Sequence, residues 1–325
     1  MKTNVFRTLT ICTCLLVAAT VSAKLQTNNP DEVDSDYAFQ GEYSGTLAET
    51  EPMGAQVIAL GKGKFRVVVF QGGLPGDGWD RSDKIEIDGE LKDGKVVFEG
   101  DEGTGILTKG QIDVVYNGAE VGALERVVRE SPTLGKKPPA GATVLFDGTS
   151  IDEWVAAGRG EPKMSDGLLH QGVNSKKKFQ DCEMHVEFRL PYAPEARGQG
   201  RGNSGLYLQG RYECQMLDSF GLKGEQNECG GVYGISKPKL NMCYPPLQWQ
   251  TYDVDFTAAK FDSDGKKTEN AKMTVRHNGV VIHQDLDLTK STTASPLKEG
   301  PEPGFIHLQN HGNPVRYRNI WVVEK

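Results

Sequence analysis

The sequence GNSGLYLQGRYECQMLDS, residues 202–219, predicts a β-strand that carries polar groups on one face. Side chains alternate between the two faces of a strand, so Glu213 and Gln215 point the same way while the residues between them point into a core. Asp218 joins this face only if a bulge adds a residue, as bulges often do beside active sites. If the strand lines a cleft, Glu213 and Asp218 present two carboxyl groups to a common substrate.

The last strand-like segment, GFIHLQNHGNPVRYRNIWVV at residues 304–323, places His307, Gln309 and His311 on one face. Solvent exposure explains such a polar face as readily as a binding site does. The same spacing could supply two imidazoles to a metal, but a third ligand is not evident in the sequence. The sequence therefore assigns no cofactor and leaves a divalent metal open.

Short β-type runs separated by glycine-containing turns extend along most of the chain, for example FRVVVF and IDVVYNG. Residues 183–190 alternate polar and apolar side chains, and Asn278-Gly279 predicts a tight hairpin turn. No amphipathic helix of normal length is predicted, so the chain is expected to be all-β, a sandwich or a barrel. The predicted organisation is a signal peptide (1–23), a flexible lead-in (24–36), a small antiparallel all-β domain (37–130), a linker (131–141) and a second β domain (142–325).

The N-terminus predicts export. Lys2 and Arg7 precede an apolar run too short to span a membrane, and Val21-Ser22-Ala23 fits a cleavage site after Ala23. Cleavage would leave 35 Lys and Arg against 44 Asp and Glu, a net charge of −9. An acidic surface disfavours nucleic acid and anionic membranes, and no other stretch is apolar enough to insert into a bilayer. We expect an exported protein, periplasmic or extracellular, with no nucleic-acid partner.

Four cysteines follow the signal sequence, and export would permit disulfides. Cys229 and Cys243 flank a loop of a size that a disulfide would stabilise by roughly 3 kcal/mol, so they are the disulfide candidates. Cys182 and Cys214 fall at strand positions whose side chains are expected to face the core. The sequence leaves open whether they form a disulfide or are small core residues.

Four motifs together resemble the 3-keto-disaccharide hydrolase family, whose exported bacterial members have a concanavalin A-like β-sandwich, a jelly roll. They are LFDGTSIDEW (145–154), NSGLYLQGRYECQMLDS (203–219), ECGGVYGISKPKLNMCYPPLQWQTYDVDF (228–256) and HLQNHGNPVRYRNIWV (307–322). The resemblance covers residues 142–324. The preceding β domain looks like extensions found in some relatives.

The resemblance implies a carbohydrate substrate with a ketone at sugar carbon 3, which acidifies the proton on carbon 2 and allows the glycosidic bond to break by elimination followed by hydration. Such chemistry needs a base, an acid and an enolate partner. We assign Glu213 as base, His311 or Asp218 as acid, and Arg211 or His307 as enolate partner. Contact between Glu213 and Asp218 would raise the pKa of one carboxyl. The side chains expected to bind substrate are those of Asn203, Tyr207, Gln209, Arg211, Gln215, Trp249, His307 and Gln309.

Two alternatives remain from the sequence. A non-catalytic sugar-binding module could use the same fold and the same aromatic side chains. A laminarinase-like glycosidase would have Glu-x-Asp-x-x-Glu on a bulged strand, where this chain has Glu213, Gln215 and Asp218. The amide in the middle disfavours a retaining mechanism, which needs two carboxyl groups about 5 to 5.5 Å apart.

Overall fold

The computed structural model describes residues 24–101 and 103–325, so the predicted signal peptide and Cys12 and Cys14 lie outside the described residues. Antiparallel strands make up nearly all of its regular structure, which confirms the prediction of an all-β sandwich preceded by a smaller antiparallel β domain. The described residues contain three short 3-10 helices, Pro30–Glu32, Ser35–Ala38 and Gly198–Gly200. None of the described helices is long and apolar enough to cross a membrane.

The first eight strands form a closed barrel in which each strand pairs with the next and β8 pairs back with β1. Alternate residues of β3 fill its interior, whereas Val68 and Phe70 point outward and pack against the core of the second domain. Because protein covers both faces of β3, its sequence is a continuous apolar run and does not alternate with polar residues. The barrel strands are β1 Gly41–Leu47, β2 Glu51–Gly61, β3 Lys64–Gln71, β4 Ile85–Lys92, β5 Lys95–Glu99, β6 Gly103–Thr108, β7 Gln111–Tyr116 and β8 Ala119–Val127.

The second domain is a sandwich of two antiparallel sheets. The smaller sheet has the strand order β10-β13-β22-β15-β16, and the larger has the order β11-β12-β23-β14-β17-β20-β21 with β9 also paired to β23. A separate ribbon consists of β18 and β19. The bounds are β9 Thr143–Phe146, β10 Trp154–Ala156, β11 Met164–Ser165, β12 Leu168–His170, β13 Val173–Phe179, β14 Cys182–Arg189, β15 Asn203–Leu208, β16 Tyr212–Leu217, β17 Trp249–Thr257, β18 Lys260–Phe261, β19 Lys267–Glu269, β20 Ala271–His277, β21 Val280–Leu288, β22 Gly304–Leu308 and β23 Arg316–Glu324.

Residues 131–141, predicted as a linker, cross the outer face of the larger sheet and bond to it. The backbone N–H of Gly135 donates to Glu187 at 2.5 Å, and the Thr133 hydroxyl donates to Asp253 at 2.6 Å. This cover buries polar side chains that strand alternation alone would leave exposed to solvent.

Beneath this segment lies a group of charged residues, His185, Glu187, Asp253 and Arg318, which we call the outer-face cluster. His185 Nδ1 lies 2.9 Å from Asp253, and Arg318 Nε lies 2.6 Å from Glu187. Burial opposes ionisation of Glu187, but hydrogen bonds from His185 and its neighbours, Arg318 among them, outweigh it and lower the carboxyl pKa to about 2. Burial also lowers the His185 pKa, yet its carboxylate partners raise it overall.

Residues 24–36, predicted as a flexible lead-in, hydrogen-bond to the sandwich. Thr27 exchanges two backbone hydrogen bonds with Tyr192, at 3.0 and 2.8 Å. The Asn28 side chain donates to the Pro314 carbonyl at 2.7 Å. These polar side chains satisfy backbone groups of the sandwich, so a segment without apolar periodicity is still fixed in place.

The structure has Cys229 and Cys243 as free, buried thiols that hydrogen-bond to each other, so their pairing in a disulfide stays a prediction. The Cys229 thiol lies 3.3 Å from the Tyr252 hydroxyl, and hydrogen bonds through Ser219 close the loop. Cys182 and Cys214, whose pairing the sequence left open, are free core residues on opposite sheets.

Candidate active site on the smaller sheet

Four polar side chains cross the smaller sheet side by side, and we call them the polar row: Asn174 of β13, His307 of β22, Tyr207 of β15 and Glu213 of β16. The strand register pairs Asn174 with His307, His307 with Tyr207, and Tyr207 with Glu213. Residues directly opposite each other on neighbouring strands project from the same face. The apolar residues between them fill the sandwich core.

Hydrogen bonds connect the polar row. His307 Nδ1 lies 2.7 Å from Asn174 Oδ1, and Gln309 Nε2 donates to the Tyr207 hydroxyl at 3.1 Å. The Tyr207 hydroxyl in turn donates to the Glu213 carboxylate. Tyr207 therefore links Gln309 at one side of the row to the carboxyl group at the other.

Glu213 is the least compensated carboxyl of the site. Only 3% of the residue is exposed, and burial raises its pKa to about 7 although the Tyr207 hydrogen bond acts in the opposite direction. In the described part of the chain Glu213 forms no ion pair. A carboxyl with a pKa near neutrality exchanges protons readily, as a general base must.

A glycine makes room for this carboxyl. Gly205 lies beside Glu213 on the neighbouring strand, and a Cβ added there would collide with the carboxyl oxygen. Gly205 therefore has a packing function next to the site, beyond the turn chemistry that glycine usually indicates.

His307 is neutral at physiological pH because burial lowers its pKa to about 4. The Asn174 carbonyl oxygen opposite Nδ1 favours the tautomer that has its proton on that nitrogen. The ring also packs against Tyr207, with a centroid distance of 5.1 Å. His307 therefore acts in the site through hydrogen bonds and ring packing and contributes no positive charge.

A cleft of about 510 Å³ opens beside the row and is walled by residues 156–163 and 170–173. His307, Gln309 and Asn310 line it from the smaller sheet, and the ionisable residues Arg159, Glu161, Lys163 and His170 line it as well. Its volume is in the range of small-molecule sites. His307 and Gln309 connect the cleft to the polar row, whereas Tyr207 and Glu213 are buried and do not line it.

An amide cluster flanks Glu213 on the other side. Gln199 Oε1 accepts from Asn203 at 3.0 Å and from Gln215 at 3.1 Å. Asn203 Oδ1 and Gln215 Oε1 are buried and have no hydrogen-bond partner within the described residues. Buried acceptors of this kind are costly unless a donor reaches them.

Asp218 does not join Glu213, contrary to the prediction. Its carboxylate accepts from Arg201 Nε at 2.7 Å, and Arg201 continues to the barrel at the Ala59 carbonyl. β16 ends at Leu217 with regular pairing, so no bulge turns Asp218 towards the face of Glu213. The raised pKa of Glu213 comes from burial, and the expected carboxyl pair does not form.

Other predicted substrate contacts lie away from the polar row. Gln209 and Arg211 occupy the turn between β15 and β16, where Arg211 donates to the Lys298 carbonyl at 2.7 Å. Trp249 belongs to the larger sheet, with the Arg318 guanidinium 4.1 Å from its ring centroid. Strand parity specified a face for these three residues but not which sheet or which end of it, and their role as substrate contacts stays a prediction.

His311 is exposed in the loop after β22, so it does not share the strand face of His307. Sequence reasoning also missed Asn174, which precedes the basic cluster 176–178 and carries no distinctive motif. No group of three or more His, Cys, Asp or Glu side chains within residues 24–101 and 103–325 is arranged to hold a metal ion.

Residues 141–323 match the family described as the 3-keto-alpha-glucoside-1,2-lyase-like domain. A solved "putative glycosyl hydrolase" from Parabacteroides distasonis is 34% identical, covers 57% of this chain and 85% of its own, and superposes with a TM-score of 0.53. Two more structures from that organism with the same description are 18% identical. They cover 61% and 57% of this chain and 98% and 99% of their own, with TM-scores of 0.43 and 0.40. No curated protein matches the chain.

Proposed function

The chain belongs to the family of 3-keto-alpha-glucoside-1,2-lyase-like domains, and we propose that it cleaves glycosides that carry a ketone at sugar carbon 3, with Glu213 as general base. The family and its glycosyl hydrolase-like relative support a carbohydrate-active, glycosidase-like role. The observation that carries the finer proposal is the buried Glu213 carboxyl, whose pKa is about 7.

In the proposed reaction Glu213 removes the proton from carbon 2, and the electron pair forms an enolate with the carbon 3 ketone. The enolate collapses to a double bond between carbons 1 and 2, and the glycosidic oxygen leaves with a proton. Water can then add its hydroxyl to carbon 1 and a proton to carbon 2, which completes a net hydrolysis. A base with a pKa near the working pH suits the first step.

The charge distribution of the site favours this route over a retaining glycosidase. A retaining enzyme needs a second carboxyl about 5 to 5.5 Å from the first. Asp218, the nearest carboxyl in sequence that the strand pattern offered, is paired with Arg201. One uncompensated carboxyl beside neutral hydrogen-bonding groups suits proton abstraction next to a ketone.

The remaining roles follow from what the site leaves available. Since Asp218 is paired with Arg201 and His311 lies exposed in the loop after β22, the proton for the leaving oxygen comes from water. The unpartnered oxygens of Asn203 and Gln215 receive sugar hydroxyls. Export through residues 1–23 would place the enzyme where glycosides from outside the cell arrive.

A parallel assay tests the substrate class. The protein is incubated with a 3-keto disaccharide and with its unoxidised parent in D2O, with and without chelator, and an enzyme-free control corrects for spontaneous exchange. We expect cleavage of the keto sugar alone, with deuterium at carbon 2 of the product. Cleavage of the parent alone would indicate a conventional glycosidase, and binding without cleavage of either would indicate a sugar-binding module.

A further inference from the structure

The interior of the N-terminal barrel contains a cavity of about 580 Å³ that opens at one end, and we call it the barrel cavity. Its wall consists of inward-facing apolar side chains, among them Met53, Val69, Ile87, Val114 and Leu124. Protein interiors are normally packed without voids larger than a water molecule. Eight-stranded barrels can either fill with side chains or hold one small ligand.

The two ends of the barrel differ in the size of their inward residues. Large buried side chains fill the closed end, including Phe39, Tyr43 and Phe65. At the open end β6 places Gly103 and Gly105 along the cavity wall. The two glycines contribute no side-chain volume at this end, where the other lining residues leave the cavity open.

The wall is nearly free of charge. Among the described residues that line the cavity, Asp101 alone carries a formal charge, and it lies exposed near the opening. Ile85 and Tyr116 also line the cavity and are 58% and 45% exposed. An anionic ligand would meet Asp101 without a compensating cation, whereas an uncharged apolar ligand would bury surface at no electrostatic cost.

We propose that the barrel cavity binds an uncharged apolar small molecule. An engineered cavity of roughly 150 Å³ accommodates benzene, so this volume suits a molecule of on the order of twenty non-hydrogen atoms. The site is separate from the polar row, which lies on the sandwich.

N-phenyl-1-naphthylamine tests the proposal, because it is neutral, of suitable size, and fluoresces more strongly in apolar surroundings. Its sulfonated analogue, 8-anilinonaphthalene-1-sulfonate, has the same rings with a negative charge. We expect saturable binding of the neutral probe to the full chain, with affinity at least about tenfold above that of the anion. A neutral probe that does not saturate, or an anion that binds equally well, would overturn the proposal.

Two matched substitutions locate the site. Val114→Trp fills the cavity and is expected to weaken binding of the neutral probe at least about tenfold. Val97→Trp adds the same ring on the outer surface of the barrel, where Val97 is 40% exposed, and should leave affinity within about twofold. Equal affinities of the two variants would place the probe elsewhere.

A third variant does not depend on repacking the interior. Asp101→Lys replaces the exposed negative charge near the opening by a positive one. It should tighten binding of the anionic probe by about tenfold and change the affinity for the neutral probe little. An anion affinity that does not respond to this change would contradict the charge argument.

Discussion

The polar row and the outer-face cluster are both buried groups of histidine and carboxylate on the same sandwich, yet their charges differ. In the outer-face cluster Glu187 accepts hydrogen bonds from His185, Asn319 and Arg318, which outweigh burial and lower its pKa to about 2. In the polar row Glu213 receives only a tyrosine hydroxyl, and its pKa is raised to about 7. Burial therefore does not by itself mark a reactive carboxyl; the presence or lack of a compensating charge decides.

The histidines show the same contrast. His185 stands between two carboxylates, which raise its pKa, whereas His307 faces an asparagine and burial lowers its pKa to about 4. The outer-face cluster is thus an ionic network that fastens residues 131–141 to the sheet. In the polar row Glu213 can change protonation near neutrality, among groups that carry no compensating positive charge.

The largest expected effect is on activity, which should depend on the carboxyl of Glu213 and not on that of Glu187. Glu213→Gln should lower kcat for a 3-keto disaccharide by about 10³-fold, since the amide cannot accept the carbon 2 proton. The substrate should still bind, because the shape of the site is kept. Steady-state assays together with calorimetric binding check this, and a variant with more than a tenth of wild-type kcat would remove Glu213 as the base.

The equivalent substitution in the outer-face cluster should lower the stability of the protein and leave its activity unchanged. Glu187→Gln leaves Arg318 and His185 without a full counter-charge, so we expect a loss of about 3 kcal/mol in the free energy of unfolding. Urea unfolding measures it, and kcat per folded molecule should be unchanged. Glu183→Gln is the matched control on the same strand, because Glu183 is exposed and its ion pair with Lys325 should contribute less than about 1 kcal/mol. Equal losses in the two variants would contradict the assignment.

The pH dependence of stability sharpens the comparison further. Glu213 has a folded-state pKa of about 7, above its ordinary value of 4.5, so its contribution is complete below pH 4.5 and is lost as the pH rises towards 7. Glu187 has a lowered pKa, so its contribution is present above pH 4.5 and is lost as the pH falls towards 2.

Urea unfolding of the two glutamine variants and the wild type between pH 4.5 and 6.5 checks these signs. Glu213→Gln should gain stability relative to the wild type across this window, by at most about 3 kcal/mol for the whole shift. Glu187→Gln should keep a nearly constant deficit over the same range. A constant difference for Glu213→Gln would mean that its carboxyl has the same pKa in the folded and unfolded states.

Much of the fold was predictable from local pattern. Alternation along residues 183–190 predicts β14, and short apolar runs predict the strands of the N-terminal domain. Barrel closure was not predictable, because it depends on pairing β1 with β8 across most of that domain. The attachment of residues 24–36 was also missed, since it rests on side-chain hydrogen bonds such as that of Asn28.

In the candidate site, too, strand alternation was predictable from the sequence, and contacts between distant segments were not. Parity along single strands grouped Glu213 with Gln215 and His307 with Gln309, and the structure brings both pairs onto one sheet. Asp218 could not be placed from sequence, because its partner Arg201 lies in a preceding loop. Asn174 was missed because its role comes from the register with His307, which the sequence of β13 does not encode locally.

The smallest expected effect concerns the hydrogen bond that lowers the pKa of Glu213. Tyr207→Phe removes this bond, so the pKa of Glu213 should rise and the acidic limb of the kcat/KM profile should move to higher pH. We expect about a tenfold loss of kcat/KM near pH 7, most of it recovered at higher pH. Tyr212→Phe is the matched control, because Tyr212 points to the opposite face and donates to Glu299 at 2.8 Å. An acidic limb that moves equally in both variants, or to lower pH in Tyr207→Phe, would show that Tyr207 does not set the protonation of Glu213. A shift found only in Tyr207→Phe would show that one neutral hydroxyl lowers the pKa of Glu213, as Arg318 helps to lower that of Glu187, but to a smaller degree.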